Sequence, residues 1–274
     1  MVRHPHRLVL IAAGALTLLA AGCGGGGGSS GTEGTSGQTG GMMSADTGAK
    51  LSIVSPQPGQ VVTGNSVATD ASISDFKIDC ALAGTANEMG VGHYHIELDR
   101  ALVNMFCKPR ARISLQNVAP GEHTLEFLPA ENDHAEDMAA MKTVSFVYRP
   151  SNPLPEITPA SFPGKPSIRI VSPKDGDTVS GSFDLTVAVK NFHLSCALYG
   201  KPNLAGYGHW HANVDSMTQG MMGMGTMLGM SCAKTFHVSL AGIKPGQHTF
   251  FAILEDNQHA PTPHASDSVK LTVQ

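Results

Sequence analysis

The chain has 274 residues, with 18 Lys and Arg against 22 Asp and Glu and a formal net charge of −4. There is no long basic run to track phosphates, so nucleic acid is excluded as a partner. Thirty-one glycines and 17 prolines beside only 5% aromatics argue against long helices and for short strands joined by turns, an all-β class.

The chain opens on a targeting segment. Arg3 and Arg7 precede an apolar stretch from Leu8 to Ala21, too short to span a bilayer comfortably but suited to a secretory signal. It ends Leu19-Ala20-Ala21-Gly22-Cys23, which resembles a bacterial lipobox. The resemblance implies lipidation at Cys23, a mature N-terminus there, and an extracytoplasmic protein lipid-anchored to the bacterial cell envelope, with the membrane as partner through the acyl chains. Residues 24–50, rich in Gly, Ser and Thr, are expected to be an unfolded tether with a reach of about 30 Å.

Internal comparison then shows two copies of one unit, residues 51–149 and 167–274. Ile53-Val54-Ser55-Pro56 with Gly59 and Gly64 returns as Ile170-Val171-Ser172-Pro173 with Gly176 and Gly181. Cys80-Ala81-Leu82-x-Gly84 returns as Cys196-Ala197-Leu198-x-Gly200, and Gly92-His93-x-His95 with Asp99 as Gly208-His209-x-His211 with Asp215. Pro120-Gly121-x-His123-Thr124 and Asn132-x-His134-Ala135 return as Pro245-Gly246-x-His248-Thr249 and Asn257-x-His259-Ala260. Six prolines in residues 150–166 predict an extended spacer that keeps the copies apart.

Within the first copy, alternating apolar runs predict strands near 51–54, 67–73, 76–82, 92–99, 111–115, 123–128 and 143–148. The Ile-Val-Ser-Pro-x-x-Gly opening resembles the first strand and turn of exported immunoglobulin-like domains. The resemblance concerns fold alone and implies two tandem immunoglobulin-like β-sandwich domains after the signal peptide and flexible linker; the chain is expected to be a monomer. In each copy Pro-Gly-x-His-Thr stands where such domains carry a tyrosine corner.

Beyond Cys23, each copy holds two cysteines, Cys80 with Cys107 and Cys196 with Cys232. Four cysteines allow three pairings, and the duplication favours one bridge inside each copy. Thiolate ligation of a soft metal is the alternative.

Strand parity puts Tyr94, Ile96 and Leu98 on one face and His93 and His95 on the other, with the same alternation about His209 and His211. Imidazoles two apart on a strand can chelate one ion, copper or zinc, with His134 and His259 as third ligands from loops. The competing reading is a hydrogen-bonding ladder on a solvated sheet face. His123 and His248 point inward by parity and are better read as structural corners than as ligands. The second copy carries a nine-residue insertion rich in methionine, where Met221, Met224, Met227 and Met230 offer thioethers suited to Cu(I), or an adaptable apolar cover.

Taken together, the His, Pro-Gly-x-His-Thr and Asp256-Asn257-x-His259-x-Pro261 blocks are similar to an uncharacterised family of small exported bacterial domains. That family shows G-H-H-H, PG-x-H-T and D-x-x-H-x-P blocks in this order. Tyr94 and Trp210 replace its middle histidine, and Glu136 stands where its proline falls in the first copy. The leading functional reading is a cell-surface protein that sequesters or hands on a transition metal, copper above zinc. The alternative is a structural or adhesive pair of modules for an envelope protein or a glycan. No serine elbow, H-E-x-x-H pair or phosphate-binding glycine loop is present, so the chain reads as no enzyme unless a hydrolytic zinc site lies among the histidines.

Overall fold

The computed structural model describes residues 44–274, apart from the side chains of Met221 and Met222. The expected signal peptide, Cys23 and residues 24–43 of the tether lie outside the described residues.

In the first copy β1 (Lys50–Ser55), β3 (Ser66–Ser74) and β7 (Arg110–Ser114) pair as one antiparallel sheet. The facing sheet runs β2 (Gln60–Val62), β9 (Lys142–Tyr148), β8 (Gly121–Ala130), β5 (Val91–Leu98) and β4 (Lys77–Ile78), with β6 (Ala101–Phe106) also on β5. The second copy repeats this. There β10 (Ser167–Ser172), β12 (Ser182–Lys190) and β16 (Thr235–Ser239) form the small sheet. β11 (Thr178–Val179), β18 (Pro261–Val273), β17 (Gly246–Glu255), β14 (Tyr207–Val214) and β13 (His193–Leu194) form the larger one, with β15 (Met227–Ser231) on β14. Each copy is an immunoglobulin-like sandwich: two sheets joined by Greek-key connections over a core drawn from their inner faces.

The core follows the alternation. Tyr94, Ile96, Leu125, Phe127 and Phe146 are fully buried in the first copy, as are Trp210, Phe250, Ala252 and Leu254 in the second. The Tyr94 hydroxyl donates to the Lys108 carbonyl at 2.8 Å and the Trp210 indole N–H to the Ala233 carbonyl at 2.8 Å, so both large rings bury without an orphaned donor. Bridges Cys80–Cys107 and Cys196–Cys232 each join a 3-10 turn to the end of the edge strand β6 or β15, with Cα atoms 5.3 Å apart. This is the one-per-copy pairing, and it leaves none of these four thiols free for a metal.

Four expectations need correction. The run 76–82 is not a strand: β4 is two residues long and Cys80–Leu82 is a 3-10 turn, started by the Asp79 carboxylate accepting from Ala81 N–H. β6 was not foreseen, because Ala-Leu-Val-Asn-Met-Phe alternates poorly and its hairpin turns on Asp99-Arg100, both at positive φ, rather than on an Asn-Gly signal. The end of the tether is folded: Thr47 is buried, its N–H and hydroxyl donating to Asp137, and Lys50 already belongs to β1.

The fourth correction concerns the spacer. The two sandwiches belong to one compact unit. Residues 150–166 hold no regular structure but are strapped down on both sides. Gln116 donates to the Pro155 carbonyl and Asn117 to the Ile157 carbonyl in the first copy, while Ala160 N–H bonds the Ala205 carbonyl in the second. Proline favours an extended path, but an extended path can still lie along a surface that offers hydrogen bonds.

Candidate metal centre

β5 and β14 build the two centres. Gly92 and Gly208 open the Gly-His-x-His segments because no side chain fits there: a Cβ at Gly92 would run into the Ala130 carbonyl and the Phe76 ring, and one at Gly208 into the Glu255 carbonyl and the Phe192 ring. With that close approach, His93 and His95 leave β5 on the face away from Tyr94 and Ile96. They meet His134 from the turn after β8. That turn is closed by Glu131 and Ala135, and His134 sits at φ +64°, a left-handed conformation rare for a side-chain-bearing residue, as does His259 at φ +62°.

The result is two triads. His93 Nε2 lies 3.1 Å from His95 Nε2 and 3.0 Å from His134 Nδ1, and the last two nitrogens are 3.3 Å apart. In the second copy His209 Nε2 is 2.9 Å from both His211 Nε2 and His259 Nδ1, which are 3.3 Å from each other. Each triad has three imidazole nitrogens gathered as a metal site requires. None of the six rings is on a solvated face: His93, His95 and His209 are 0% exposed and the other three at most 4%. The expected polar face is covered by the opposite copy.

Burial sets the protonation. Desolvation, reinforced by His134 and His95, holds His93 well below the usual imidazole range, and desolvation with His95 takes His134 down to about 3. In the second copy desolvation and the neighbouring rings hold His209 and His211 far down, and desolvation takes His259 to about 4. His134 and His95 also act across the copies, the first on His211 and the second on His259. All of these shifted rings are neutral at pH 7.

Outer partners fix which nitrogen faces inward. His134 Nε2–H donates to the Met227 carbonyl at 2.7 Å, and His259 Nε2–H to the Leu102 carbonyl at 2.8 Å, leaving both Nδ1 lone pairs aimed into their triads. His95 Nδ1–H donates to Glu136 Oε1 at 2.6 Å, so its Nε2 lone pair faces the same point. His93 and His209 have buried Nδ1 atoms with no partner. A carboxylate behind a ligating imidazole is a common device of metal sites. The second copy lacks this bond: Pro261 takes the position of Glu136, and the nearest carboxyl is that of Glu255, on β17 where the first copy has Ala130, with Oε1 3.9 Å from His211 Nδ1, outside hydrogen-bond distance. Burial and then Asp256 push the Glu255 carboxyl up to about 9.

The other expected ligands fall outside the triads. His123 and His248 are corners: Nδ1 meets Asp99 or Asp215 at 2.7 Å, and Nε2 donates to the Ala119 or Lys244 carbonyl at 2.8 Å. With both nitrogens engaged neither ring can ligate. Burial lowers His248, but Asp215 and the Lys244 carbonyl outweigh it and leave the ring raised. Met224, Met227 and Met230 are buried in one apolar cluster with Val103, Met105 and Tyr199, so the insertion is chiefly the apolar cover that joins the copies. Met227 meets a histidine through its carbonyl. Met230 pairs across from His211 on β15, and Met105, unforeseen, across from His95 on β6. Both line a cleft of about 360 Å³ between the copies. The side chain of Met221 lies outside the described residues.

Glu136 had a signal in the sequence, since it stands where the second copy of the repeat has Pro261. The Leu102 and Met227 carbonyls had none, because any residue carries a carbonyl.

No known protein family and no curated protein is matched by the chain. Among solved structures, fibronectin(III)-like modules of CbhA from Clostridium thermocellum are 16% identical, over 82% of this chain and 94% of that one, with a TM-score of 0.27. The endo-beta-1,4-mannanase of Thermotoga petrophila is 16% identical over 41% of this chain and 20% of its own, with a TM-score of 0.25. Domains FN1–FN3 of chicken CNTN1 are 9% identical over 81% of this chain and 63% of theirs, with a TM-score of 0.23. At such low identity and superposition nothing about binding or activity passes from them to this chain. The sandwich rests on its own strand pairing.

Proposed function

We propose that the protein is an envelope lipoprotein, anchored through Cys23, that binds one transition-metal ion in each of its two histidine triads, copper in preference to zinc. One observation carries the reading: in each buried triad three imidazole nitrogens lie within 3.3 Å of one another, and a backbone carbonyl bonded to the Nε2–H of His134 or His259 aims that ring's Nδ1 lone pair into the group. Neutral lone pairs that converge in a dry site repel one another, and a cation relieves that repulsion. The spacing suits an ion. Nitrogens 3.0–3.3 Å apart lie on a circle of about 1.8 Å radius, close to the usual M–N distance of about 2.0–2.1 Å, so His93, His95 and His134 could hold one ion together.

Copper is favoured by the thioethers. Met105 and Met230 are the cross-strand partners of His95 and His211, and their thioethers would suit a soft ion better than zinc. Two disulfides fit an oxidising compartment, and among the described residues no helix is long and apolar enough to cross a membrane.

Elemental analysis of protein expressed in defined medium, followed by competitive titration with Cu(I), Cu(II) and Zn(II), tests this. Two equivalents are expected for the native chain and one for the His209→Ala/His211→Ala variant. Absence of stoichiometric binding defeats the reading, and tighter binding of Zn(II) than of either copper ion defeats its choice of metal.

A further inference from the structure

Each triad draws its three histidines from one copy but takes an outer partner from the other. His134 of the first copy needs the Met227 carbonyl of the second, at 2.7 Å, and His259 of the second needs the Leu102 carbonyl of the first, at 2.8 Å. These carbonyls belong to the same element of the repeated unit. Leu102 lies on β6 and Met227 opens β15, the edge strands whose Met105 and Met230 stand opposite His95 and His211. The exchange is therefore reciprocal: each edge strand reaches across and fixes the loop ligand of the other site.

Two glycines allow the approach. Gly84, at φ +74°, would place a Cβ 2.8 Å from the Met227 carbonyl carbon and oxygen. Gly200, at φ +65°, would place one 2.7 Å from the Leu102 carbonyl oxygen. They are the matching residues of the two Cys-Ala-Leu-x-Gly blocks, and each abuts the carbonyl that its own copy's loop histidine uses. Glycine at these places is explained by the contact between copies as well as by the turn.

We propose that the two triads form a single coupled two-ion centre, in which the affinity of each site depends on the docking of the opposite copy. This rests on the metal-binding reading above. Without docking, the Nε2–H of His134 or His259 loses its acceptor, its tautomer is no longer fixed, and the ring loses the contact that aims Nδ1 inward. Loss of such an outer partner typically weakens metal binding about 10–100-fold. Linkage makes the effect mutual: if docking tightens the metal, the metal tightens docking by the same factor.

Two measurements on the full chain, with Zn(II) as the probe, test the proposal. First, Gly84→Val and Gly200→Val are each titrated against a chromophoric competitor. Each single wedge is expected to weaken both sites at least 10-fold, including the one whose residues it does not touch. A native chain that binds two ions and wedged variants that bind both within twofold of it would overturn the coupling. Second, because a wedge can also impair folding, hydrogen exchange is followed in the His209→Ala/His211→Ala variant, which retains only the first site. One equivalent of Zn(II) is expected to slow exchange in Met227–Ser231 of the opposite copy, and slowing confined to the first copy would overturn the proposal. Failure of the native chain to bind Zn(II) or copper at all would instead remove the metal reading beneath it.

Discussion

The most instructive residues are the two carboxylates behind the histidines. Glu136 and Glu255 come from different positions of the repeat, yet both lie at Nδ1 of the second histidine on the strand, at 2.6 and 3.9 Å. Only Glu136 is within hydrogen-bond distance; Glu255 stands beyond it, and its carboxyl, pushed up to about 9 by burial, is neutral at pH 7, so the second copy keeps a carboxyl near this atom without the bond. Replacing Glu136 by Gln should weaken the first site about 10–100-fold and leave the second within a few-fold, as read by competitive titration. The neutral rings also predict a pH dependence. His134 and His259 have folded values of about 3 and 4, below the unfolded imidazole, so between those values and about 6.5 the unfolded chain binds more protons and stability rises with pH. Metal-free protein should therefore lose stability as pH falls from about 6.5 toward 4, on the order of 1 kcal/mol per pH unit for each ring. Urea denaturation at pH 7.5 and 5.0 checks this, and a His134→Ala/His259→Ala variant should show a flatter profile.

At the scale of elements, the edge hairpins matter more than the sandwich they flank. β6 and β15 close the sheet beside the histidine strands, cover the histidine face and carry the cross-copy carbonyls. Each is pinned at its far end by a disulfide, since Cys107 follows β6 and Cys232 follows β15. Removing the Cys196–Cys232 bridge with Cys196→Ala/Cys232→Ala should cost roughly 3–4 kcal/mol in chemical denaturation. It should also weaken the first site more than the second, because β15 supplies the carbonyl to His134 rather than to His259. The methionine insertion acts on the same element. Its glycines let the chain wind through the 3-10 segment Met221–Thr226 before β15, and its buried Met224 fills the space between the sandwiches.

The described residues form a pair of sandwiches with a buried histidine triad on each side of one apolar joint. An ion that binds only the folded, docked state raises stability by mass action, about 2.7 kcal/mol per site at a free concentration 100 times Kd. Thermal denaturation should accordingly show a higher Tm with two equivalents of Cu(I) or Zn(II) and a lower one after chelation, with the Glu136→Gln variant gaining less than the native chain. Lys201 reports the closeness of the copies: it is 3% exposed, and burial takes its ammonium down to about 8 against the opposing pull of Asp99 in the other copy.

Much of this is legible in the sequence. Period-two alternation separated Tyr94 and Ile96 from His93 and His95, the repeat paired the cysteines, and spacing grouped the three histidine positions of each copy, because these depend on neighbours along one strand or on the duplication itself. What lay beyond reach was which surface faces which. A histidine face of a sheet reads the same whether water or another domain covers it, and a proline-rich segment reads as a spacer whether it hangs free or lies bound through Gln116 and Asn117. The covering of the triads, the reciprocal carbonyls and the apolar use of the methionines were decided by the tertiary structure alone, since docking depends on the shape of two folded surfaces and no pattern within either copy encodes it.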